Sequence, residues 1–214
     1  MPLDLPAGTV FFLDANIPAY AAVEDQDFTP HCRELLRRVE QRQVIALTAS
    51  FALGDALHKI MLAEARLRLP AEVNAGRHIQ NHPETVRSLE LAQQASEIFA
   101  RLPFELLPID TASFVAAMKV SRQHGLLTND AMIVALMQRH GITHLATNDD
   151  DFDRVPGARR ASLIHDGERV YTNHGSLTMS HWIEFAATRE VCRTLSECNT
   201  VSRRRILRRC PRLS

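Results

Sequence analysis

Short apolar runs alternate along this chain with longer stretches of helical periodicity, and this alternation limits the folds that it can adopt. Residues 10–13 read Val-Phe-Phe-Leu, and residues 44–47 form a second such run. Wholly apolar runs of this length predict strands that are buried on both faces, because a half-solvated strand alternates polar and apolar residues. Strands separated by helices predict an α/β fold, with a mainly parallel sheet covered by helices on both sides.

Two further strands are predicted at residues 104–109 and 142–146, and a short fifth strand at Leu163-Ile164 on the edge of the sheet. Residues 69–82 are polar and irregular, and we interpret them as a loop. Pro83 is well suited to begin the helix that follows this loop, because its fixed φ is already helical.

Glycines predict where two later helices end. A helix from residue 111 to about residue 123 stops before Gly125, and another runs as far as Gly141. Thr128 or Asn129 could cap the start of the second helix with its side-chain oxygen.

Length and composition predict one main domain with an appendage. The chain has 214 residues, of which 45% are apolar, which is enough for one substantial core. We expect the main domain to span residues 1–160 and a C-terminal extension to span residues 161–214. In the extension, residues 182–195 could form one amphipathic helix, and the arginine-rich run at 203–209 is typical of a solvated segment that attracts phosphate nonspecifically.

Charge and cysteine usage exclude several classes of protein. The formal net charge is zero, so the global field does not indicate a nucleic-acid binder, although a neutral total can conceal an acidic pocket beside a basic rim. The four cysteines form no CxxC pair, which argues against a disulfide framework or a structural zinc site. The amino end lacks a basic leader, and no stretch is apolar for long enough to cross a bilayer, so we expect a cytoplasmic protein and no membrane partner.

Four aspartates are placed where ligands bind in parallel α/β sheets. Asp14 directly follows the first predicted strand, and Asp149 follows the fourth. Asp55 lies in an early turn of the helix after the second strand, and Asp130 lies in the first turn of the helix before the fourth. Because the carboxyl ends of parallel strands and the starts of the following helices share one edge, we expect all four to converge there.

Converging carboxylates need a compensating positive charge, because they repel one another and raise each other's pKa. A hard divalent cation such as Mg²⁺ or Mn²⁺ supplies that charge and also binds substrate phosphate. One such cation, or a pair roughly 4 Å apart, can polarise a scissile phosphate and lower the pKa of an attacking water. Asn16 and Thr147 are placed to support a carboxylate or a metal-bound water by hydrogen bonding.

Ordinary structural roles could also explain these aspartates without a cation site. Any single aspartate could simply terminate a strand, open a turn or begin a helix. Asp55 interrupts an apolar stretch, and His58, three residues later, could be its structural partner. The other histidines show no metal-binding pair, so capping and surface roles are the simpler interpretation.

Four short stretches together resemble the PIN-domain ribonucleases, and among them the VapC-type toxins of bacterial toxin-antitoxin pairs. In chain order these stretches are residues 12–16, residues 48–50 leading to 54–58, residues 125–131 and residues 145–152. The resemblance covers roughly residues 9–160. It implies a three-layer α/β/α sandwich, a Mg²⁺ or Mn²⁺ site, RNA as substrate, a homodimer, and inhibition by a cognate antitoxin protein.

The resemblance also implies roles for individual residues. Asp14, Asp130 and Asp149 match the metal-binding carboxylates of the family, and Asp55 stands where the family usually has a glutamate. Asp151 matches an auxiliary carboxylate. Two polar supports complete the set that the resemblance predicts: Asn16 and Thr147.

Two alternatives belong to other functional classes. The first is a catalytically silent PIN fold that serves as a binding or assembly module, motivated by Asp55 and the long extension. The second is a phosphoacceptor receiver domain, which is also α/β with clustered acids. A receiver needs a lysine after a late strand, and the chain's two lysines, Lys59 and Lys119, are not so placed.

Overall fold

The computed structural model describes residues 5–23 and 28–161. The described elements, in chain order, are β1 (Val10–Leu13), α1 (Asn16–Ala22), α2 (Thr29–Glu40), β2 (Ile45–Thr48), α3 (Ser50–Arg68), α4 (Ala75–Asn81), α5 (Pro83–Ser88), α6 (Leu91–Arg101), β3 (Glu105–Leu106), α7 (Thr111–His124), α8 (Thr128–His140), β4 (His144–Ala146), a 3-10 helix (Asp150–Arg154) and β5 (Arg159–Ala161). No helix in this part of the chain is both long enough and apolar enough to span a bilayer.

The strands form one parallel sheet in the order β3-β2-β1-β4-β5. Helices flank this sheet, so the predicted α/β/α sandwich is confirmed. From β1 the chain first builds outward through β2 and β3, and later adds β4 and β5 on the other side of β1. The order therefore reverses between β1 and β4, which is where parallel α/β sheets open a crevice beyond their carboxyl ends.

Apolar clusters hold the helices against the sheet and against each other. Phe12 of β1 is fully buried in a cluster with the apolar side of α8, including Ile133 and Leu136. A second cluster joins α1, α3 and α6 through small, aliphatic and aromatic side chains, with Ile60 and Phe99 among them. Complete burial of side chains of this size contributes roughly 1.5–3 kcal/mol each, so these clusters fix the positions of the helices that carry the polar residues.

The glycine stops are confirmed at both predicted helix ends. Gly125 and Gly141 follow α7 and α8 with φ of +68° and +66°, a left-handed conformation that costs glycine little. The predicted cap of α8 is wrong. The N-cap residue is Leu127, whose side chain makes no cap hydrogen bond, because Thr128 and Asn129 already lie inside the first helical turn.

The interpretation of residues 69–82 as a loop is wrong over half its length, because α4 forms there. The Asn74 side chain accepts a 2.9 Å hydrogen bond from the backbone N–H of Arg77 and caps this helix. Ile79 packs with Ala65 of α3 and secures the short helix by burial. Neither effect produces the long apolar periodicity by which helices are recognised in a sequence.

The helix predicted to begin at Pro83 does begin there but is interrupted, giving α5 and α6. Glu64 of α3 caps the second of these helices from a distance. Its carboxylate accepts hydrogen bonds from the backbone N–H groups of Glu90 and Leu91, at 3.1 and 2.9 Å, and so satisfies the start of α6.

The third and fourth strands are shorter than predicted, and β3 is only two residues long. Pro108 carries no N–H for a sheet hydrogen bond, which is consistent with the early end of β3. A fifth strand forms at Arg159–Ala161. The fifth strand predicted at residues 163–164, the helix at 182–195 and the arginine-rich run at 203–209 lie outside the described residues, and the division at residue 160 stays a prediction.

Candidate active site

The site begins where β1 and β4 end side by side. Leu13 and Ala146 are register partners, and the backbone N–H of Asp14 donates a 3.1 Å hydrogen bond to the carbonyl of Ala146. Asp14 and Thr147, the residues that follow these partners, are therefore neighbours. They lie in the crevice created by the reversal of strand order.

Asp14 is a buried carboxylate, with only 6% of its surface exposed. Its Oδ1 accepts a 2.6 Å hydrogen bond from the backbone N–H of Ala15, and its Oδ2 accepts a 2.7 Å hydrogen bond from the hydroxyl of Thr147. Burial raises the pKa of Asp14, whereas these two hydrogen bonds and the charge of Lys59 act to lower it. The carboxylate is thus held in one orientation at the base of the site.

Asp130 lies in the first turn of α8 and is half-buried. Burial, followed by the negative charges of Asp149, Asp14 and Asp151, raises its pKa to about 6. A cation bound among these carboxylates would relieve their mutual repulsion.

The turn after β4 places two more carboxylates beside Asp130. The backbone N–H of Asp149 donates to the hydroxyl oxygen of Thr147 at 3.1 Å, which ties the turn to the base of the site. Oδ1 of Asp149 in turn accepts the backbone N–H of Asp151 at 2.9 Å and caps the 3-10 helix. Arg154 donates a 2.6 Å hydrogen bond to Oδ1 of Asp151 from the solvent side.

A divalent cation fits three of these carboxylates. Asp130, Asp149 and Asp151 can each offer one oxygen such that the three oxygens lie within 4.8 Å of one another. Oxygens bound to one Mg²⁺ at about 2.1 Å lie about 3 Å apart when adjacent and about 4.2 Å apart when opposite, so small side-chain adjustments suffice. The donors are all carboxylate oxygens, which suit Mg²⁺ or Mn²⁺ rather than zinc.

This group differs in one member from the ligand set predicted from the sequence, Asp14, Asp130 and Asp149. Asp151, predicted as an auxiliary carboxylate, belongs to the three mutually close carboxylates, and the role of Asp14 as a ligand stays a prediction. Asp14 borders the same cleft, but both of its oxygens already accept hydrogen bonds.

Asp55 enters the site from the second turn of α3, and its side chain is 32% exposed. Its Oδ2 lies 2.8 Å from the ammonium nitrogen of Lys59, one helical turn further along. The partner of Asp55 is therefore Lys59 rather than His58, which is exposed. The same ammonium donates a 3.0 Å hydrogen bond to Oδ1 of Asn16, at the start of α1.

One cleft gathers these groups. It is open to solvent. Phe51 and Ile133 supply apolar walls. The polar side chains at its surface include Asp14, Asn16, Asp55, Lys59, Asp130 and Asp149.

Lys59 and Arg154 are the basic residues of the site that the sequence interpretation missed. Both stand at helical spacing from an acid, since Lys59 follows Asp55 by four residues and Arg154 follows Asp151 by three. Such spacing is a usable signal for an ion pair, but it is common on solvated helices and does not by itself indicate a site.

Fold and site together define a class: a parallel α/β domain with a carboxylate-lined cleft at the point where strand order reverses. The PIN domain family model matches residues 11–158, well over half of the chain. The chain belongs to the PIN domain family.

Individual proteins resemble this chain only distantly. No curated protein is similar enough to count as a match. The solved structure of VapBC2 from Rickettsia felis, bound to a DNA fragment from their promoter, is similar with 15% identity and a TM-score of 0.44, covering 72% of this chain and 98% of that one. PAE2754 from Pyrobaculum aerophilum is similar with 15% identity and a TM-score of 0.43, covering 85% and 99% respectively.

Proposed function

We propose that this protein is a metal-dependent endoribonuclease that hydrolyses RNA phosphodiester bonds in the cytoplasm. One observation carries the proposal: aspartates from four separate sequence motifs, namely Asp14, Asp55, Asp130 and Asp149, border a single cleft. Domains of the PIN family are generally nucleases, which sets the reaction class. The resemblance of the four motifs to those of PIN-domain ribonucleases supports RNA as the substrate.

Three carboxylates would hold the cation: Asp130, Asp149 and Asp151. A bound Mg²⁺ or Mn²⁺ would supply positive charge to the scissile phosphate and make water a better nucleophile at neutral pH. Two hydrogen bonds, from the N–H of Asp149 to the hydroxyl oxygen of Thr147 and from the N–H of Asp151 to Asp149, keep two of the three ligands in place before any cation binds.

Asp14 has a different role in this proposal. Thr147 and the N–H of Ala15 fix its carboxylate at the base of the cleft, so it cannot swing toward solvent. A carboxyl group with a raised pKa is a better proton acceptor than an ordinary aspartate, so Oδ2 of Asp14 is suited to receive the proton of an attacking water. The amino end of α8, at Asn129, adds backbone N–H groups that favour an approaching phosphate.

The biological setting that we propose is a bacterial type II toxin-antitoxin pair, in which this chain is the toxin. It would act as a homodimer and be held inactive by a cognate antitoxin protein. The support for this setting is the order and spacing of the four motifs, which resemble those of VapC-type toxins.

A catalytically silent PIN module is the second candidate. One observation favours it, namely that the acid of the second motif, Asp55, is already neutralised by Lys59. The phosphoacceptor receiver has no comparable support, since the chain belongs to the PIN family.

RNA cleavage tests the enzyme directly. Purified protein is incubated with total RNA and with transfer RNA in the presence of Mg²⁺ or Mn²⁺, and the products are separated on denaturing gels. We expect cleavage by the wild type and a loss of about a hundredfold or more in both Asp14→Asn and Asp130→Asn, because each removes a charge that acts in the transition state.

Asp150→Asn is the matched control. Asp150 adjoins Asp149 and Asp151 in the chain but is exposed and borders neither the cleft nor the carboxylate group. This variant should cleave as the wild type does. Equal cleavage by all four proteins would reject the assignment, and Mn²⁺ binding without cleavage of any RNA would favour the silent module.

A further inference from the structure

Lys59 lines the cleft, and the proposed function gives it no role. We propose that its ammonium group stands in place of a second divalent cation, so that the cleft binds one divalent cation, at Asp130, Asp149 and Asp151. This inference rests on the proposed function and specifies the composition of its site.

The position of Lys59 is fixed by two elements. Its ammonium lies 2.8 Å from Oδ2 of Asp55 on its own helix and 3.0 Å from Oδ1 of Asn16 on α1. A solvated lysine on a helix surface makes at most the first of these contacts. The additional hydrogen bond to another element directs this side chain into the cleft, where 42% of its surface remains exposed.

Its charge acts on both parts of the site. Lys59 lines the same cleft as Asp14 at its base and as Asp130 and Asp149 of the carboxylate group. Among the described residues that line the cleft, Lys59 is the only basic one. It is therefore the compensating charge that the folded chain itself provides.

A second divalent cation beside Asp55 would have to compete with contacts that the cleft already makes. Asp55 is paired with the ammonium, and the two oxygens of Asp14 accept hydrogen bonds from Ala15 and Thr147. A divalent cation beside Asp55 would also meet the positive charge of Lys59 in a partly buried space, where repulsion is weakly screened. Both effects oppose occupation of this side of the cleft.

The aspartate at position 55 is consistent with this arrangement. An acid followed four residues later by a lysine pairs favourably along a helix, and the short aspartate side chain keeps the pair close to α3. An ammonium has three N–H donors, and two acceptors among the described residues account for two of them. The third is available to an RNA phosphate, which a lysine binds as a point charge.

Mn²⁺ stoichiometry, measured without RNA, tests the proposal. Isothermal titration calorimetry and electron paramagnetic resonance of unbound Mn²⁺ are applied to the full-length wild type, Lys59→Met and Lys59→Arg. Lys119→Met is the matched control, because Lys119 is the only other lysine and is exposed on α7. Far-UV circular dichroism verifies that each variant keeps its helices.

We expect one Mn²⁺ per chain for the wild type, Lys59→Arg and Lys119→Met. Methionine has nearly the length of lysine without the charge, so Lys59→Met should bind a second Mn²⁺, or bind the first about tenfold more tightly. Adding Asp55→Asn to Lys59→Met should remove the second Mn²⁺, which locates it beside Asp55. In RNA cleavage, Lys59→Met should raise KM more than it lowers kcat.

Different outcomes overturn different statements. Two Mn²⁺ in the wild-type cleft, or identical binding by the wild type and Lys59→Met, overturns the role of Lys59 while RNA cleavage leaves the nuclease proposal standing. The number of Mn²⁺ ions bound per wild-type chain tests the proposal even if Lys59→Met fails to fold. Absence of Mn²⁺ binding by every variant overturns the role of Lys59, and absence of RNA cleavage as well overturns both proposals.

Discussion

The hydroxyl of Thr147 donates a 2.7 Å hydrogen bond to Oδ2 of Asp14, joining two residues that lie 133 positions apart in the chain. Parallel pairing of β1 with β4 makes this contact possible, since each residue directly follows its strand. The same hydroxyl oxygen accepts the N–H of Asp149. One buried threonine thus connects the base of the cleft to the turn that carries the cation ligands.

Thr147→Val should destabilise the protein, because it removes the hydroxyl and leaves Oδ2 of Asp14 buried with one donor fewer. We expect the free energy of unfolding to fall by about 1–3 kcal/mol, as for other buried groups left without a partner. Urea denaturation of the wild type and the variant measures this free energy. Thr143→Val, at an exposed site, is the control and should have little effect. Equal midpoints for the two variants would contradict the prediction.

Asp130→Asn should stabilise the protein when no divalent cation is present. Because the folded-state pKa of about 6 lies above the ordinary 3.8, the folded protein binds this proton more tightly, and stability falls as pH rises from about 4 to about 6. Asp130→Asn has no carboxyl group at this position, so it does not lose stability in this way as pH rises. After allowance for solvent screening, the gain at pH 7.5 should be on the order of 1 kcal/mol.

Thermal unfolding in a chelating buffer, at pH 4.5 and pH 7.5, measures this gain, with Asp150→Asn as the control. Mn²⁺ should then raise the melting temperature of the wild type but not of Asp130→Asn, since a ligand stabilises only the state that binds it. A less stable Asp130→Asn in the chelating buffer would show that Asp130 supports the fold rather than straining it.

Glu64→Gln should weaken the start of α6. Glu64 is 4% exposed, accepts the N–H groups of Glu90 and Leu91, and pairs with Arg68. Glutamine keeps the shape but loses the charge and one acceptor, so we expect a loss of about 1–3 kcal/mol. Chemical denaturation compares it with Glu72→Gln, an exposed site that should be neutral. No difference between the two would show that Glu64 does not support the start of α6.

Asp110→Ala should lower stability at pH 5 and have a much smaller effect near pH 2. Asp110 caps α7, and hydrogen bonds from Ser113 and then from Arg139 lower its pKa to about 2. Because this pKa is depressed in the folded state, the stabilisation is complete above about pH 4 and is lost as pH falls through about 2. Melting temperatures across this range measure the effect, with Asp150→Ala as the control. A constant difference at every pH would contradict it.

Much of the fold could be predicted because its signals are local. Wholly apolar runs predict β1 and β2, and the glycines at 125 and 141 end their helices in the left-handed conformation. The sequence alone does not predict elements whose position depends on distant residues. Helix α4 is secured by burial of Ile79 against α3, and α6 begins where Glu64, 26 residues before Glu90, satisfies its first N–H groups.

By itself the sequence determined that this chain forms a parallel α/β sheet with acids at the ends of its strands, since apolar runs and the residues that follow them are read directly from the chain. Only the tertiary structure decided that carboxylate oxygens of Asp130, Asp149 and Asp151 lie within 4.8 Å of one another, and that Lys59 enters the cleft. The reason is physical. Distances between side chains on different elements depend on strand register and helix packing, which no local pattern encodes.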